Sequence, residues 1–424
     1  MTHADSPPRP PRKVVVVGGG AAGLMAAGIA ASQGARVTVL EKTGRTGTKL
    51  GITGKGRCNL TNSAPLELFL KAYGHQRQFL RQAFMRFFSS DLVAFAESLG
   101  IPAELEPGGK YFPTGNRAPE FAEALAEWTV ASGAAIDKNS AVSEIVVRDR
   151  RIAGVRVGSH KVVPADAVII ATGGLSYPET GSTGDGYSLA RALGHTIVPT
   201  RPALVPLETK GDIAPRLQGL SLHDVAVRLI TQDRPQAALL GDLVFTHYGL
   251  SGPVILLVSL DAVDSLSAGK KVEISFDLLP SLDERALESH LLERFSGLGT
   301  KQLQNILKEL LPSSLVPVCL DLADVSGNIT GSQVTTAERR RLRHLLKDFR
   351  LTVTGHQGYA EATVTAGGVD LAEVDPRTMQ SRLVAGLYFA GEVLDIDGPT
   401  GGYNLQAAFS TGRLAGHSAA TGGP

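Results

Sequence analysis

The sequence predicts an α/β fold, a parallel sheet interrupted by an inserted antiparallel β segment and a helical one, and three observations predict it. The segment VVVVGGGAAGLMAAGIAASQGARVTVLE (14–41) runs from strand through glycine turn and apolar helix to a second strand. Short apolar strands recur at 166–171 and 386–391, and buried strands alternating with helices imply a parallel sheet. After Pro199, Val225, Val227 and Leu229 alternate with polar or small residues, as do Val272, Ile274 and Phe276, the mark of half-buried antiparallel strands.

The opening element carries a physical assignment for each glycine. Gly18 permits the tight turn out of the strand, Gly20 lets backbone approach a pyrophosphate, and Gly23 lets the helix sit close on the sheet. Beyond Gly20, Ala21 and Ala22 begin a helix whose free N–H groups and positive dipole end suit phosphate. Glu41 ends the second strand 18 residues past Gly23, with Lys42 beside it. A carboxylate there accepts hydrogen bonds from an adenosine ribose and repels a 2′-phosphate, so the site favours FAD or NAD over NADP. This is a Rossmann-like dinucleotide domain. A membrane span is the competing reading, since Lys13 and Arg36 bracket 22 uncharged residues. The glycines break its apolar part, and the Pro-rich head and missing cleavage pattern do not fit a signal peptide.

The remaining elements follow in order. Residues 1–12 are expected to be a disordered tail. The dinucleotide domain is expected over 13–200 and 352–424, a β domain over 201–280 and a helical insert over 281–351. Within them, 66–131 reads as mostly helical, 145–157 as a hairpin-like meander, and Leu303, Ile306, Leu307, Leu310 and Leu311 as one apolar helix face with Thr300 as its N-cap. A terminal helix is expected from Tyr403 to about Gly416. Bulk composition narrows the class. The chain of 424 residues has a net charge of +1 and 20% charged residues, so bulk electrostatics argues for neither a nucleic-acid nor a membrane partner. Two distant cysteines, Cys58 and Cys319, build no disulfide framework, zinc site or iron–sulfur cluster. No metal site is predicted, and a cytoplasmic protein fits.

Three further segments distinguish FAD from NAD, because a flavin half must also be held. KLGITGKGRCN (49–59) is rich in glycine and cation, with Lys49, Gly54, Arg57, Cys58 and Asn59 as candidate contacts. Ala171-Thr172-Gly173-Gly174 closes a strand, with Thr172 and Gly173 facing the adenine side. Gly391-Glu392 and then Gly402-Tyr403-Asn404-Leu405-Gln406 complete the set; Glu392 is a candidate partner of the ribityl or phosphate, and the terminal helix points its N-terminus at the flavin. A helix terminus contributes roughly 0.3 to 2 kcal/mol, and for two electrons 30 mV is about 1.4 kcal/mol. Such an end shifts a flavin potential by at most about 40 mV, so it tunes the cofactor without setting its chemistry.

These segments carry a family resemblance. KLGITGKGRCNLTN (49–62), ATGGLSYPETGSTGDGY (171–187), FTHYGLSGPVIL (245–256), VTAGGVDLAEVDPRTMQSRLVAGLYFAGEVLDIDG (364–398) and GGYNLQAAFSTGRLAG (401–416) resemble the BaiN/YhiN-type FAD flavoproteins, also described as aminoacetone-oxidase-like. The resemblance implies a two-dinucleotide-binding-domain type of flavoprotein with an inserted β domain and helical insert. It also implies non-covalent FAD and either reduction of a steroid double bond or oxidative deamination of aminoacetone. Lys55 stands where a third small residue is expected, placing a cation beside the flavin. The stretch 180–195 is also similar to fumarate-reductase-like and ketosteroid-dehydrogenase flavoproteins, a fold-level analogy.

The protein must orient substrate and move one proton while the flavin carries hydride chemistry. His247 and Tyr248, in a glycine-rich turn of the insert, are the candidate general acids; the alternative for His247 is a hydrogen bond to a backbone carbonyl. Arg57 either offsets charge near the flavin or contacts the pyrophosphate. Tyr177 and Tyr403 are expected to stack on or cap the flavin. Cys58 is expected to pack in its loop, and Asp395 and Asp397 to cap backbone N–H groups. The run Arg339-Arg340-Arg341-Leu342-Arg343 is read as solvated surface, with a phosphate or RNA grip as the alternative.

The expected activity is an FAD-dependent oxidoreductase moving hydride between flavin N5 and a small or medium organic substrate, by reduction or dehydrogenation of an activated C–C bond. No second GxGxxG is present, so any NAD(P)H would dock transiently as electron donor. One alternative is an amine oxidase passing electrons to oxygen. The other is a flavin-bearing RNA-binding or tRNA-modifying protein, disfavoured by the near-neutral net charge. Substrate, electron donor and oligomeric state are not written in these residues.

Overall fold

The computed structural model describes residues 10–115 and 117–423. The first nine residues of the expected tail therefore lie outside the described residues. Arg12 departs from that expectation, since its carbonyl accepts the Arg36 N–H at 2.8 Å and prolongs the first strand pair. The chain forms two compact units, one ending at Pro202 and resuming at Ala362, the other Ala203–Glu361.

The first unit is built on a five-stranded sheet in the order Leu387–Phe389, Ala167–Ile170, Lys13–Val17, Arg36–Leu40, Ala135–Asp137. All its pairings are parallel, with Val14 beside Ala167 and Val37. Val14 to Val17 and Ala167 to Ile170 are buried throughout, because helices Ala21–Ser32 and Tyr403–Thr421 and the antiparallel strand Arg151–Val157 pack on the sheet, and cover on both faces removes the alternation. Helix Ala21–Ser32 packs against the terminal helix Tyr403–Thr421. Gly412 and Gly416 make that approach possible: a Cβ on either would lie 2.4 Å from the Ala22 carbonyl oxygen or 2.2 Å from that of Ala26. The segment expected to be mostly helical also contains strands Ala103–Glu106 and Lys110–Pro113, which pair with each other, and the second also pairs with Thr61–Asn62. The meander has three antiparallel strands, Val142–Arg148, Arg151–Val157 and Lys161–Pro164.

The second unit is a closed antiparallel barrel. Its strands run Ser221–Thr231, Leu239–Phe245, Gly249–Ser251, Leu207–Thr209, Phe349–His356 and Val272–Asp277, and the last pairs back with the first. The structure differs here from the expected boundaries at 280 and 352. Strand Phe349–His356 follows the helical segment and pairs with Val272–Asp277, so it belongs to the barrel. The intervening helices share its core rather than forming their own: Leu287, Leu291, Leu303, Ile306, Leu342 and Leu346 pack in one cluster with Val227, Ile274 and Phe276. Sequence period separated the two segments because helices and strands bury one common core through different repeats. Thr300 is not a cap; that helix begins at Leu303 with Gln302 at its cap position. Among the described residues no helix is long and apolar enough to cross a membrane.

Candidate functional site

The site elements of the first unit converge at the carboxyl ends of its parallel strands, where open α/β sheets bind ligands. Gly18 leaves the first strand at φ +103°, and its N–H donates to the Leu40 carbonyl at 2.9 Å. A Cβ on Gly18 would lie 2.6 Å from the Ala171 carbonyl oxygen, and one on Gly23 would lie 1.9 Å from that of Gly18. Those two glycines are demanded by packing. Gly20 is different: a Cβ there would meet nothing within 4 Å. Helix Ala21–Ser32 has no side-chain cap at this end, so the first-turn N–H groups of Ala21, Ala22 and Gly23 lack intrahelical partners beside that space. An uncapped helix N-terminus behind an open glycine fits a pyrophosphate.

Glu41 is committed twice. Its carboxylate accepts from the N–H of Gly19 and of Thr43, both at 2.8 Å, and from the Thr43 hydroxyl at 2.9 Å. A carboxylate has about four lone-pair sites, so capacity for a ribose hydroxyl remains while the acid braces the glycine turn. Lys42 pairs with Asp185 at 2.6 Å and with Thr183. A recess beside them is lined by Val17, Gly18, Glu41, Lys42, Val142 and Thr172, and shares Val142, Asp185 and Leu189 with a cavity of about 390 Å³. The Thr172 hydroxyl is buried without a hydrogen-bond partner, an orphaned polar group on the wall of the recess. Gly173, at φ +73°, continues the turn, and a Cβ on it would press on the Ser182 hydroxyl at 3.0 Å.

The flavin-side residues behave otherwise. Glu392 accepts from Lys49 at 2.7 Å, from the Ser176 hydroxyl at 2.8 Å and from the Thr365 N–H at 2.8 Å. Burial works to raise its carboxyl pKa, and the Lys49 ammonium with these hydrogen bonds overrules burial and holds it below the usual range. Glu392, a candidate partner of the ribityl or phosphate, accepts three protein hydrogen bonds as Glu41 does, and differs in having a lysine ammonium among its donors. Ser176 and Thr365 lie within the segments 171–187 and 364–398 that carry the family resemblance, yet sequence alone assigned neither a role. Asn404 is structural: it accepts the Gly398 N–H and donates to the Gly398 carbonyl, both at 2.8 Å. Gln406 is fully buried and bonds Thr61, the Phe87 carbonyl and Ser410. Its side chain therefore holds the helix rather than a ligand. Leu405 packs against the cluster containing Phe121 and Phe409. Asn59, with its amide donating to the Thr61 carbonyl, accepts the Gly402 N–H at 3.2 Å. What these residues leave toward a ligand is the uncapped N-terminus of Tyr403–Thr421.

The glycine-rich loop 48–56 is kinked at Thr53–Lys55, where both Gly54 and Lys55 are left-handed. Arg57 pairs with Glu106 and lies 4.1 Å over the Phe112 ring, tying the loop to the 103–113 hairpin. Cys58 is buried, and burial pushes its thiol up to about 12, far from a reactive thiolate. The Tyr403 ring sits 4.2 Å from that of Phe69, tilted by 32°, so protein aromatics occupy one side of it. Gly391, at φ +75°, donates to the Thr411 hydroxyl at 3.0 Å.

His247 and Tyr248 stand in the second unit, on the turn between strands Leu239–Phe245 and Gly249–Ser251, with their rings 4.8 Å apart. Burial raises the Tyr248 pKa, with Glu361 adding to it, so the phenol stays protonated at neutral pH. In the same unit Arg339 and Arg343 reach Glu288 at 2.7 and 3.4 Å, and Arg341 donates to the carbonyls of Ala323 and Asp324. That arginine run is an internal tie between helices as much as a surface.

Comparison with known proteins agrees with this geometry. The family described as HI0933-like protein Rossmann domain matches residues 12–418. The chain is 33% identical, over 94% of its length and 97% of the relative's, to the 3-dehydro-bile acid delta(4,6)-reductase of Clostridium scindens. It is also 33% identical, over 92% of its length and 93% of the relative's, to the ribosomal RNA dihydrouridine synthase of Escherichia coli. Among solved structures, the open conformation of a flavocytochrome c3 fumarate reductase superposes with a TM-score of 0.53 at 18% identity, covering 98% of this chain and 79% of that one. At that identity the likeness speaks for the fold.

Proposed function

The chain belongs to the HI0933-like family of FAD-dependent oxidoreductases, and on that premise we propose that it reduces a carbon–carbon double bond conjugated to a carbonyl. The observation that carries the reading is chemical. One relative's name describes a 3-oxo steroid with double bonds at positions 4 and 6, the other the saturation of uridine. Both bonds are polarised by a carbonyl, so each accepts hydride at the distal carbon and a proton at the carbon next to the carbonyl.

FAD, held non-covalently, supplies the hydride chemistry when bound. The open space at Gly20, the uncapped helix ends at Ala21 and Tyr403, and the orphaned Thr172 hydroxyl support that fit. The N–H groups of the first helix would hold the pyrophosphate, Glu41 would take the ribose, and the Tyr403 helix end would favour negative charge on the cofactor. Lys49 and Glu392 neutralise each other and keep the wall rigid. The proton donor is proposed on the His247–Tyr248 turn, where a protonated phenol and an imidazole stand together. Two electrons and two protons are added overall, taken from NAD(P)H and solvent.

An anaerobic titration with NADH and then NADPH tests the reading. Bleaching of the oxidised-flavin band, reversed on adding a conjugated enone, is the expected result. If neither nucleotide bleaches the band and amines do so with peroxide release in air, the amine-oxidase alternative replaces it.

A further inference from the structure

Helix Asp185–Ala192 of the first unit is followed by Leu193, Gly194 and then His195, a fully buried imidazole that the reduction chemistry does not use. Its Nδ1 lies 2.9 Å from a carboxylate oxygen of Glu373 and its Nε2 lies 2.8 Å from the Ser381 hydroxyl. The serine decides where the protons are. Its oxygen already accepts the N–H groups of Leu383 and Val384, both at 3.0 Å, and a hydroxyl oxygen has two lone pairs. The hydroxyl proton is left to donate to Nε2, so Nε2 is bare and the ring carries its proton on Nδ1, donated to Glu373. That carboxylate also accepts the Thr196 N–H at 2.9 Å and the Thr196 hydroxyl at 2.8 Å. All these polar groups are satisfied together only while the imidazole is neutral.

A proton on Nε2 breaks the arrangement. The new N–H needs an acceptor, both serine lone pairs are taken, and a buried donor without a partner is costly. The turn 381–384 therefore has to release Leu383 or Val384. Burial disfavours the imidazolium, while the hydrogen bond and charge of Glu373 favour it; burial prevails and holds His195 below the usual histidine range. Among the described residues Glu373 is the one charged group bonded to the ring. On the other packed elements, Asp185 is paired with Lys42, Asp375 with Arg377 at 2.9 Å, and Asp370 caps the Ala372 N–H at 2.9 Å. Arg191 and Arg382 are exposed, and Arg201 reaches the Pro199 carbonyl at 3.4 Å. The sheet edge presents the Phe389 ring, 4.9 Å away and nearly perpendicular at 78°.

This turn is tied to the cofactor wall. The Ser381 N–H donates to the Leu387 carbonyl at 2.8 Å and the Phe389 N–H to the Met379 carbonyl at 3.0 Å, which fastens 379–381 along strand Leu387–Phe389 at the edge of the parallel sheet. That strand runs through Ala390 directly into Gly391 and Glu392. On the other side the Asp370 N–H donates to the Thr196 carbonyl at 3.0 Å, just after strand Val364–Val369, whose Thr365 N–H holds Glu392. Met379 is buried with a left-handed φ of +63°, a conformation that persists only where the surroundings enforce it. We propose that His195 is an acid-sensitive latch: protonation of its Nε2 frees the turn 381–384 and the edge strand Leu387–Phe389, loosening the Gly391–Glu392 wall and with it the hold on FAD. The inference rests on FAD being the group held there and is independent of which bond is reduced.

Because the fold favours the neutral ring, the latch is complete above about pH 6.5, and each pH unit below that favours the open form by up to about tenfold until the lower folded value is passed. The test follows the FAD-loaded full chain from about pH 7.5 to about pH 5, reading flavin absorbance retained after gel filtration together with Tm. Wild type is expected to lose both toward the acid end, well above the range in which Glu392 titrates. His195→Gln places a neutral amide that takes no proton, so both readouts should be flat across the same window. An acid slope that survives His195→Gln overturns the proposal, as does a slope abolished in Tm but kept in flavin retention. Should His195→Gln fail to fold, nitrogen-15 NMR of histidine-labelled wild-type holoprotein decides. A bare Nε2 and a protonated Nδ1 at neutral pH support the latch; an Nε2–H tautomer or an imidazolium at neutral pH overturns it. A Tm slope abolished by His195→Gln in a chain that purifies without flavin and takes up none keeps the latch in the fold and sinks the reading of the site as one that holds FAD.

Discussion

Two regions of the first unit, Gly18–Glu41 and Gly391–Gln406, are built from the same parts and use them differently. Each has a glycine N-cap, a helix end without a side-chain cap and a nearby glutamate. In the first, Gly20 faces open space and Glu41 accepts from neutral backbone and hydroxyl donors. In the second, Gly402 is pressed against Thr61, where a Cβ would lie 2.4 Å from the backbone, and Glu392, Asn404 and Gln406 are bonded to protein. The first region leaves its glycine cap in open space; the second presses its cap on backbone and pairs its glutamate with a lysine. Motif chemistry therefore identifies a cofactor site without saying which side chains touch the cofactor.

The sharpest way to break this comparison is a substitution at each glycine cap. Gly20→Val should fold normally and lose flavin by more than about a hundredfold in affinity, read as absorbance retained after gel filtration, because its Cβ meets no protein atom and instead fills the approach to the pyrophosphate. Gly402→Ala should lose stability itself, since its Cβ would sit 2.4 Å from the Thr61 carbonyl. A Gly20→Val protein that purifies yellow and fully loaded would remove the distinction.

Glu392→Ala should follow in size. It strands the Lys49 ammonium, which is 21% exposed, and removal of one partner from a largely buried pair costs about 3 kcal/mol, to be read by urea unfolding of apoprotein. Lys49→Met/Glu392→Gln, by removing both charges, should recover much of that loss. The same pair predicts an acid limb. A carboxyl with its pKa depressed by folding contributes stability above its unfolded pKa of about 4.3, and that contribution is lost as pH falls through the lower folded value. An acid-unfolding midpoint unmoved by Glu392→Gln would contradict it.

Smaller effects test the remaining roles. Gln406→Ala leaves the buried Thr61 hydroxyl without its acceptor, while the Phe87 carbonyl keeps Ser410, and should cost about 1–3 kcal/mol of stability with unaltered flavin spectrum. Glu41→Gln should weaken flavin binding modestly and loosen the glycine turn braced through Gly19 and Thr43. His247→Ala asks whether the second unit supplies the proton: enone reduction should slow about 10²-fold while flavin reduction by NAD(P)H stays unchanged.

How much was legible differs by residue for physical reasons. The strand–turn–helix order at 14–41 followed from local rules of backbone sterics and periodicity, and the structure has those elements at Lys13–Val17, Ala21–Ser32 and Arg36–Leu40. The barrel strands Ser221–Thr231 and Val272–Asp277 were visible through their alternation. The partners of Glu392, by contrast, lie 343, 216 and 27 residues away in sequence at Lys49, Ser176 and Thr365, and no local pattern encodes such a meeting. The return of Phe349–His356 to the barrel after a helical excursion was hidden for the same reason.

By itself, then, the sequence determined the fold class, the flavin family and the glycines on which the first turn depends, because each is written in short-range spacing. Tertiary structure alone decided which polar groups remain open. It paired Glu392 with Lys49, buried Gln406, engaged Arg339, Arg341 and Arg343, and left Arg77 and Arg86 outward. Hydrogen-bond and ion-pair capacity is used up by whatever neighbour the fold delivers, and that neighbour is set by contacts across hundreds of residues rather than by the residue's own surroundings in the chain.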